Sequence, residues 1–283
     1  MSYLPLYIAL GLLMADGLIE VGFVGSMVGF LHDRAGKYFT VNAPQGTFNL
    51  HGKPAGLLVN QGHTSNGAAG TAVVLVGIGG LLTIWYEKRR QGQRRKQPSP
   101  SSQIQSPDYG QEHEQHEQYN DSGGGPSRLF LFWTTMTILS ALLTLSALIY
   151  TFIVTAQTDH QTINLSVAAA NPEPAFYPLD KWTPENWFVA VLALPLAHHS
   201  DRRDIRNHLR LMRGWRWNLI PLFVLGVVVV ALAGWEVVRG RVRGRHGGGG
   251  GVVGVGGKKK KKRWVEGDEA REKFRHSNGS SGV

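Results

Sequence analysis

Four long apolar stretches constrain the fold of this chain more than any other feature of its sequence. They cover residues 4–31, 67–86, 129–156 and 219–238, 96 positions that hold only three of the 50 charged residues. A stretch of about 18 or more residues with so little charge is typical of a helix that crosses the roughly 30 Å hydrocarbon core of a membrane. We therefore predict an all-α, polytopic membrane protein with four transmembrane helices in a bundle.

The distribution of Lys and Arg predicts how the four helices are oriented. If both termini are cytoplasmic, the cytoplasmic parts (87–128 and 239–283) carry 20 of these residues, and the outer loops (32–66 and 157–218) carry 10. Because cytoplasmic segments are enriched in Lys and Arg, this favours cytoplasmic N- and C-termini. We expect a multi-pass protein of the plasma membrane or another secretory-pathway membrane. Asn164, in an Asn-Leu-Ser sequon, is then a predicted glycosylation site on the outer side.

The apolar stretches also divide the chain into two transmembrane pairs with a linker between them and a tail after them: 1–90, 91–127, 128–238 and 239–283. The linker is rich in Gln, Ser, Pro, Gly and Glu and has almost no aliphatic residues. It cannot bury enough apolar surface to offset its conformational entropy, so we predict that it is disordered, as is the tail. His113 and His116 in the linker are three positions apart, which favours a solvated segment over a metal site; we predict no metal and no cofactor.

The outer loops contain patterns of local structure that together predict a cap. Residues 38–41 and 47–50 alternate like paired strands around a turn, which predicts a hairpin. In the second loop, Thr183-Pro184-Glu185 is a typical helix start, and it precedes an apolar run at 187–197 that is too short to cross a membrane. We expect this run to lie along the interface or pack on the bundle, and a second short amphipathic helix to follow Ser200.

Asp16 and Glu20 are the most informative polar residues, because they lie four apart on one face of the first span. Carboxylates inside a membrane are costly, so such residues usually face the protein interior and have a function. Three interpretations stay open: a proton- or cation-linked pathway, a pair of hydrogen-bonded acids that holds the helices together, or a shifted span that places Asp16 nearer the surface. In the second interpretation the partners would be hydroxyls of the third span, at Thr134, Thr135, Thr137, Ser140 and Thr144.

A run of six cations follows a glycine-rich segment in the tail: Lys258, Lys259, Lys260, Lys261, Lys262 and Arg263. On a flexible tether near a membrane, such a run suits the anionic head groups of the inner leaflet, at roughly 1 kcal/mol per residue close to the surface. The alternative is a solvated basic tail with no partner. The net charge of +10 comes from clusters that flank the membrane, so we predict lipid and no nucleic acid as the partner.

Three segments resemble those of four-pass integral membrane proteins of filamentous fungi. They are NQGHTSNGAAGT at 60–71, YPLDKWTPENW at 177–187 and LMRGWRWN at 211–218. The resemblance implies the same four-span fold. It implies no known activity and no catalytic residue.

The chain is not predicted to be an enzyme. It has no cysteine, which excludes disulfides, thiolate metal sites and cysteine nucleophiles, and it has none of the common catalytic motifs. We predict a non-enzymatic membrane-organising or interaction protein whose partners are membrane lipids, with other membrane proteins or a second copy as further partners. The alternative is a transporter or channel subunit that uses Asp16 and Glu20.

Overall fold

The structure, a computed structural model, describes residues 3–44, 46–96, 125–170, 173–174 and 181–247. Among them are all four apolar stretches, both acids of the first span and most of the two outer loops. The predictions for most of the linker (97–124) and for the six cations at 258–263 lie outside the described residues.

Four helices long and apolar enough to cross a membrane dominate the described chain, which confirms the prediction of four candidate spans. They are α1 (Leu4–Arg34), a second helix made of α2 (Asn60–Thr71), a π-helical segment (Ala72–Ile78) and α3 (Gly79–Lys96), then α4 (Arg128–Gln157) and α7 (His199–Gly247). The smaller elements are β1 (Tyr38–Ala43), β2 (Gly46–His51), α5 (Leu165–Ala170) and α6 (Pro184–Ala193).

The four long helices pack as a bundle around an apolar core. α1 and α7 run antiparallel, since Arg34 of α1 contacts Asp204 and Tyr3 at the other end lies in a small cavity with Glu236. The core is built from aliphatic and aromatic side chains of all four helices: Leu6, Leu10, Leu13, Ala72, Val76, Ile84, Phe130, Trp133, Leu219, Leu222 and Val229. Apolar residues also cover much of the outer surface, as expected of helices that face lipid rather than water.

The second helix lies close to α4 at the junction of the π-helical segment and α3. Gly80 lies so near Trp133 that a Cβ there would be 2.7 Å from Trp133 Cζ2. The indole nitrogen of Trp133 donates a hydrogen bond to the carbonyl of Val76, at 3.1 Å. The Val76 carbonyl also accepts a backbone hydrogen bond from Gly79 at the end of the π-helical segment. The glycine and the tryptophan therefore fix the register of the two helices.

At one end of the bundle the short elements form a compact layer, which we call the cap: the β1–β2 hairpin, α6 and the adjoining ends of α1 and α7. It has its own core, which includes Phe30, Phe39, Trp182, Trp187, Phe188 and Ile205. Backbone hydrogen bonds join its segments: Asn42 N to Pro195 O at 2.9 Å, Ala197 N to Thr40 O at 2.8 Å and Leu58 N to Trp182 O at 2.8 Å. The apolar run at 187–197 thus packs on the ends of α1 and α7, which was one of the two arrangements expected for it, and it forms part of a second folded core.

Three boundaries differ from those predicted. The short helix expected after Ser200 and the fourth span are one continuous helix, α7. The second helix begins at Asn60, before the predicted stretch at 67–86, and Thr64 and Ser65 are interior residues whose hydroxyls donate back to carbonyls of the preceding turn. α3 extends to Lys96, so the first six residues of the predicted linker are helical.

Candidate functional site

The two acids of the first span lie where α1 crosses α7, opposite Asn218. Glu20 is fully buried, and the Asn218 side-chain nitrogen donates a hydrogen bond to Glu20 Oε2 at 3.1 Å. The same nitrogen lies 3.4 Å from the backbone carbonyl oxygen of Asp16. Asn218 therefore bridges the segment of α1 that carries both acids, and it is the polar contact between the two helices at this level.

Two acid oxygens of this pair keep no hydrogen-bond partner. Glu20 Oε1 and Asp16 Oδ2 are both buried and unpaired. The hydroxyls of the third span do not reach them: those of Thr134, Thr137 and Thr144 donate to carbonyls of their own helix. The expectation that these hydroxyls bind the acids was wrong, because a threonine in a helix finds a nearer acceptor one turn back.

The acids lie at the junction between the two cores. Leu13 belongs to the core of the bundle, whereas Val24, Met27 and Phe30 belong to the core of the cap. The last third of α1 is therefore part of the cap. Glu20 lies between these two sets of residues. Its partner on α7, Asn218, directly follows the exposed Trp217. The bond between Glu20 and Asn218 joins α1 to α7, as in the interpretation in which the acids hold helices together.

A double-mutant cycle measures what the Glu20–Asn218 bond contributes. We expect Asn218→Leu alone to lower the free energy of unfolding by about 1–3 kcal/mol, because it leaves a buried acceptor without its donor. In a Glu20→Leu background the same change should cost much less, since no acceptor remains. The measurement is unfolding by SDS titration from a mild detergent. Equal costs in both backgrounds would show that the bond contributes nothing to stability.

Arg34, at the end of α1, forms the main ionic contact of the cap. Its guanidinium contacts Asp204, lies 3.7 Å from Asp201 and stacks 5.4 Å from the ring centroids of Phe30 and Phe39. Local sequence patterns could not predict that Arg34 pairs with Asp201, because 167 positions separate the two residues.

A second polar cluster joins α6 to α4 and α7. Glu185 Oε1 is 3.3 Å from Arg213 Nε, and Oε2 is 3.2 Å from Arg216 Nη1. The Asn186 side-chain nitrogen donates to Thr155 O and to Thr158 Oγ1, both at 2.8 Å. Burial raises the pKa of the Glu185 carboxyl, and this outweighs the lowering by Arg216 and Arg213. The Glu185 carboxyl is therefore paired with two arginines and is largely shielded from water.

The raised pKa of Glu185 predicts a pH dependence with a definite sign. The folded state holds this proton to a higher pH than the unfolded chain, so its contribution to stability is complete below the unfolded pKa and is lost as pH rises through the folded pKa. We expect the unfolding free energy of the wild type minus that of Glu185→Gln to increase as pH falls from about 8 to about 5. A decrease over the same range would mean that the arginines dominate and that the pKa is lowered.

The other sequence candidates have simple local roles where the structure describes them. Asn164 is exposed, and its side-chain oxygen accepts hydrogen bonds from Ser166 N at 3.0 Å and Ser166 Oγ at 2.6 Å, at the start of α5. Within the described ranges, no three His, Asp or Glu side chains come together in a way that could hold a metal ion. The six cations of the tail lie outside these ranges.

Comparison with known proteins gives this chain no relative. No protein-family model, no curated protein and no solved structure matches it. A function has to follow from the residues and contacts described above.

Proposed function

We propose that this protein is a non-enzymatic organiser of a membrane, which displays a rigid cap on the outer side and gathers anionic lipid on the cytoplasmic side. Its four apolar helices make it a multi-pass membrane protein by length and composition. The proposal combines the cap, which the structure describes, with the six cations of the tail, which the sequence provides. Both termini are cytoplasmic in this proposal.

Aromatic and basic residues support the placement of the bundle in a bilayer. On α7, the exposed Trp217 and Trp235 are eighteen positions apart, or about 27 Å along a helix, close to the thickness of the hydrocarbon core. At the end remote from the cap, Lys88 lies 4.5 Å from the Tyr7 ring and Arg89 lies 5.5 Å from the Trp85 ring. Aromatic residues followed by cations are typical of the cytoplasmic interface, which favours the cap as the outer end.

The cap is the observation that carries the proposal. Segments from both outer loops and the ends of two long helices share one buried core, and backbone hydrogen bonds and the Arg34 contact hold them together. A binding surface on such a preorganised unit loses little conformational entropy when a partner binds. Two polar contacts between α1 and α7 lie in and beside this unit: Asp201 binds Arg34, and Asn218 binds Glu20.

Lipid enrichment around the reconstituted protein tests the proposal. We expect energy transfer from full-length labelled protein to labelled phosphatidylserine to exceed that to labelled phosphatidylcholine, and to fall as salt increases. Replacing Lys258, Lys259, Lys260, Lys261, Lys262 and Arg263 by glutamine should abolish the difference. The control replaces Arg203, Arg206 and Arg210, three exposed arginines of α7 that the proposal places on the outer side. A preference for phosphatidylserine that survives the tail substitutions would overturn the proposal.

The unpaired buried oxygens of Asp16 and Glu20 favour a second candidate, a transporter or channel subunit. In the described part of the chain, neither acid lines the cavities at the cap or at the opposite end of the bundle. Proteoliposomes distinguish the candidates. An organiser should show no pH-dependent proton or cation flux, whereas flux abolished by Asp16→Asn with Glu20→Gln, in protein that still assembles, would support the transporter.

A further inference from the structure

A cavity of about 550 Å³ lies between the cap and the bundle, within the range of about 300–1,000 Å³ of sites that bind small organic molecules. Its walls are the cap end of α1, the segment between β2 and α2, the first turn of α2, and Trp215 of α7. It is separate from the acid pair, because neither Asp16 nor Glu20 lines it.

Most of the cavity wall is apolar. Val24, Met27 and Leu31 of α1 face Leu57, Leu58 and Val59 across it. Such a lining favours a hydrocarbon chain over a polar solute, because burying apolar surface of the ligand is favourable and burying unpaired polar groups is costly.

Two residues in this wall have a buried side-chain nitrogen without a hydrogen-bond partner, Gln61 and Trp215. Gln61 is 1% exposed, lines the cavity, and its side-chain nitrogen has no hydrogen-bond partner. A buried amide that makes no hydrogen bond costs free energy, and a ligand with an acceptor group would recover it. The bond would be strongest with a charged oxygen, because hydrogen bonds to ionised acceptors are about twice as strong as neutral ones.

The charged groups around the cavity indicate the sign of the charge on that ligand. Lys53, His32 and His63 line it, and no carboxylate does among the described residues. A cavity lined by cationic and neutral groups attracts anions. Access is also apolar, since Val28 and Val59 on the lining are 52% and 48% exposed and offer an alkyl chain a path from the surface.

We infer that this cavity binds a single-chain amphiphile with a carboxylate head, a long-chain fatty acid, with its chain among the apolar side chains and its carboxylate accepting a hydrogen bond from Gln61. The volume suits one alkyl chain and is too small for a two-chain phospholipid.

Photocrosslinking of the full-length protein in lipid nanodiscs tests the inference. The probe is palmitate with a diazirine on its chain, and labelled peptides are mapped by mass spectrometry. We expect labels on residues 24–35 and 57–63, competed by excess palmitate and not by hexadecanol. Gln61→Leu should weaken this labelling about tenfold, the loss of one hydrogen bond to a charged group, and Val28→Trp should block it. Gln93→Leu, on an exposed part of α3, is the matched control and should have no effect.

The stability of the variants shows whether a loss of labelling reflects lost binding or misfolding. Gln61→Leu removes an unpaired buried amide, so its thermal stability without fatty acid should equal or exceed that of the wild type. Gln61→Glu gives a second, nearly isosteric variant that repels a carboxylate and should lose labelling as well. Labels spread evenly over the lipid-facing helices, or equal competition by hexadecanol, or labelling unchanged in both Gln61 variants, would each overturn the inference.

Discussion

Replacing Trp187 by alanine should lower the free energy of unfolding by about 3–5 kcal/mol and should be the most damaging single change in the cap. The Trp187 side chain is 0% exposed, its ring centroid lies 5.3 Å from that of Trp182, and its indole nitrogen donates to the Gly52 carbonyl at 3.0 Å. Alanine would leave a large void and an unpaired buried carbonyl, whose costs add.

The control for Trp187 is another tryptophan of the same chain. Trp217 is 55% exposed, so Trp217→Ala in detergent should change the free energy of unfolding by less than about 1 kcal/mol. SDS titration followed by circular dichroism measures both variants. If Trp187→Ala costs no more than Trp217→Ala, the cap does not have the packed core described here.

Removing the Arg34 guanidinium should be the second most costly change, at about 2–3 kcal/mol for Arg34→Ala. The Arg34 side chain is 13% exposed and the Asp201 side chain 20%, so their contact is largely desolvated. Removing one partner of a buried ion pair leaves the other charge unpaired, which lowers the free energy of unfolding by about 3–5 kcal/mol. We expect a smaller loss here because the Asp204 side chain is 38% exposed and solvent screens its charge.

Two further variants separate the guanidinium from simple charge. Arg34→Lys should recover less than half of the loss, because an ammonium cannot contact two aspartates and stack on two rings at once. Lys37→Ala removes an ion pair with Asp33 in which both side chains are 54% exposed, and it should cost less than about 0.5 kcal/mol. An Arg34→Ala protein as stable as Lys37→Ala would show that the cap does not depend on this contact.

The sequence predicted the four long helices well because that signal is local. Low charge over some twenty consecutive positions reflects the lipid environment itself, and no distant partner is needed to interpret it. The ends of the helices were harder to predict. The sequence between Ser200 and Leu219 changes from polar to apolar, but the backbone hydrogen bonds continue across that change, so two predicted helices are the single helix α7.

For the pair of acids, the sequence predicted the residues themselves but not their partner on α7. Asp16 and Glu20 stand out because charge is rare within a span, and this drew attention to the right face of α1. Their partner, Asn218, is 198 positions from Glu20 and looks like an ordinary residue at the start of a span. The pairing of Arg34 with Asp201 and the unpaired amide of Gln61 likewise depend on how the chain folds back on itself, which local patterns do not encode.

The length of α7 has a mechanical consequence. Its 49 residues correspond to about 74 Å at 1.5 Å per residue, so a single helix joins the Arg34 contact in the cap to the end of the bundle remote from the cap. Pro221 lies within this helix and removes a backbone donor where the helix enters the apolar core, which makes it the natural pivot. A force on the hairpin would therefore be transmitted rigidly along α7 only as far as Pro221, where the helix bends most easily.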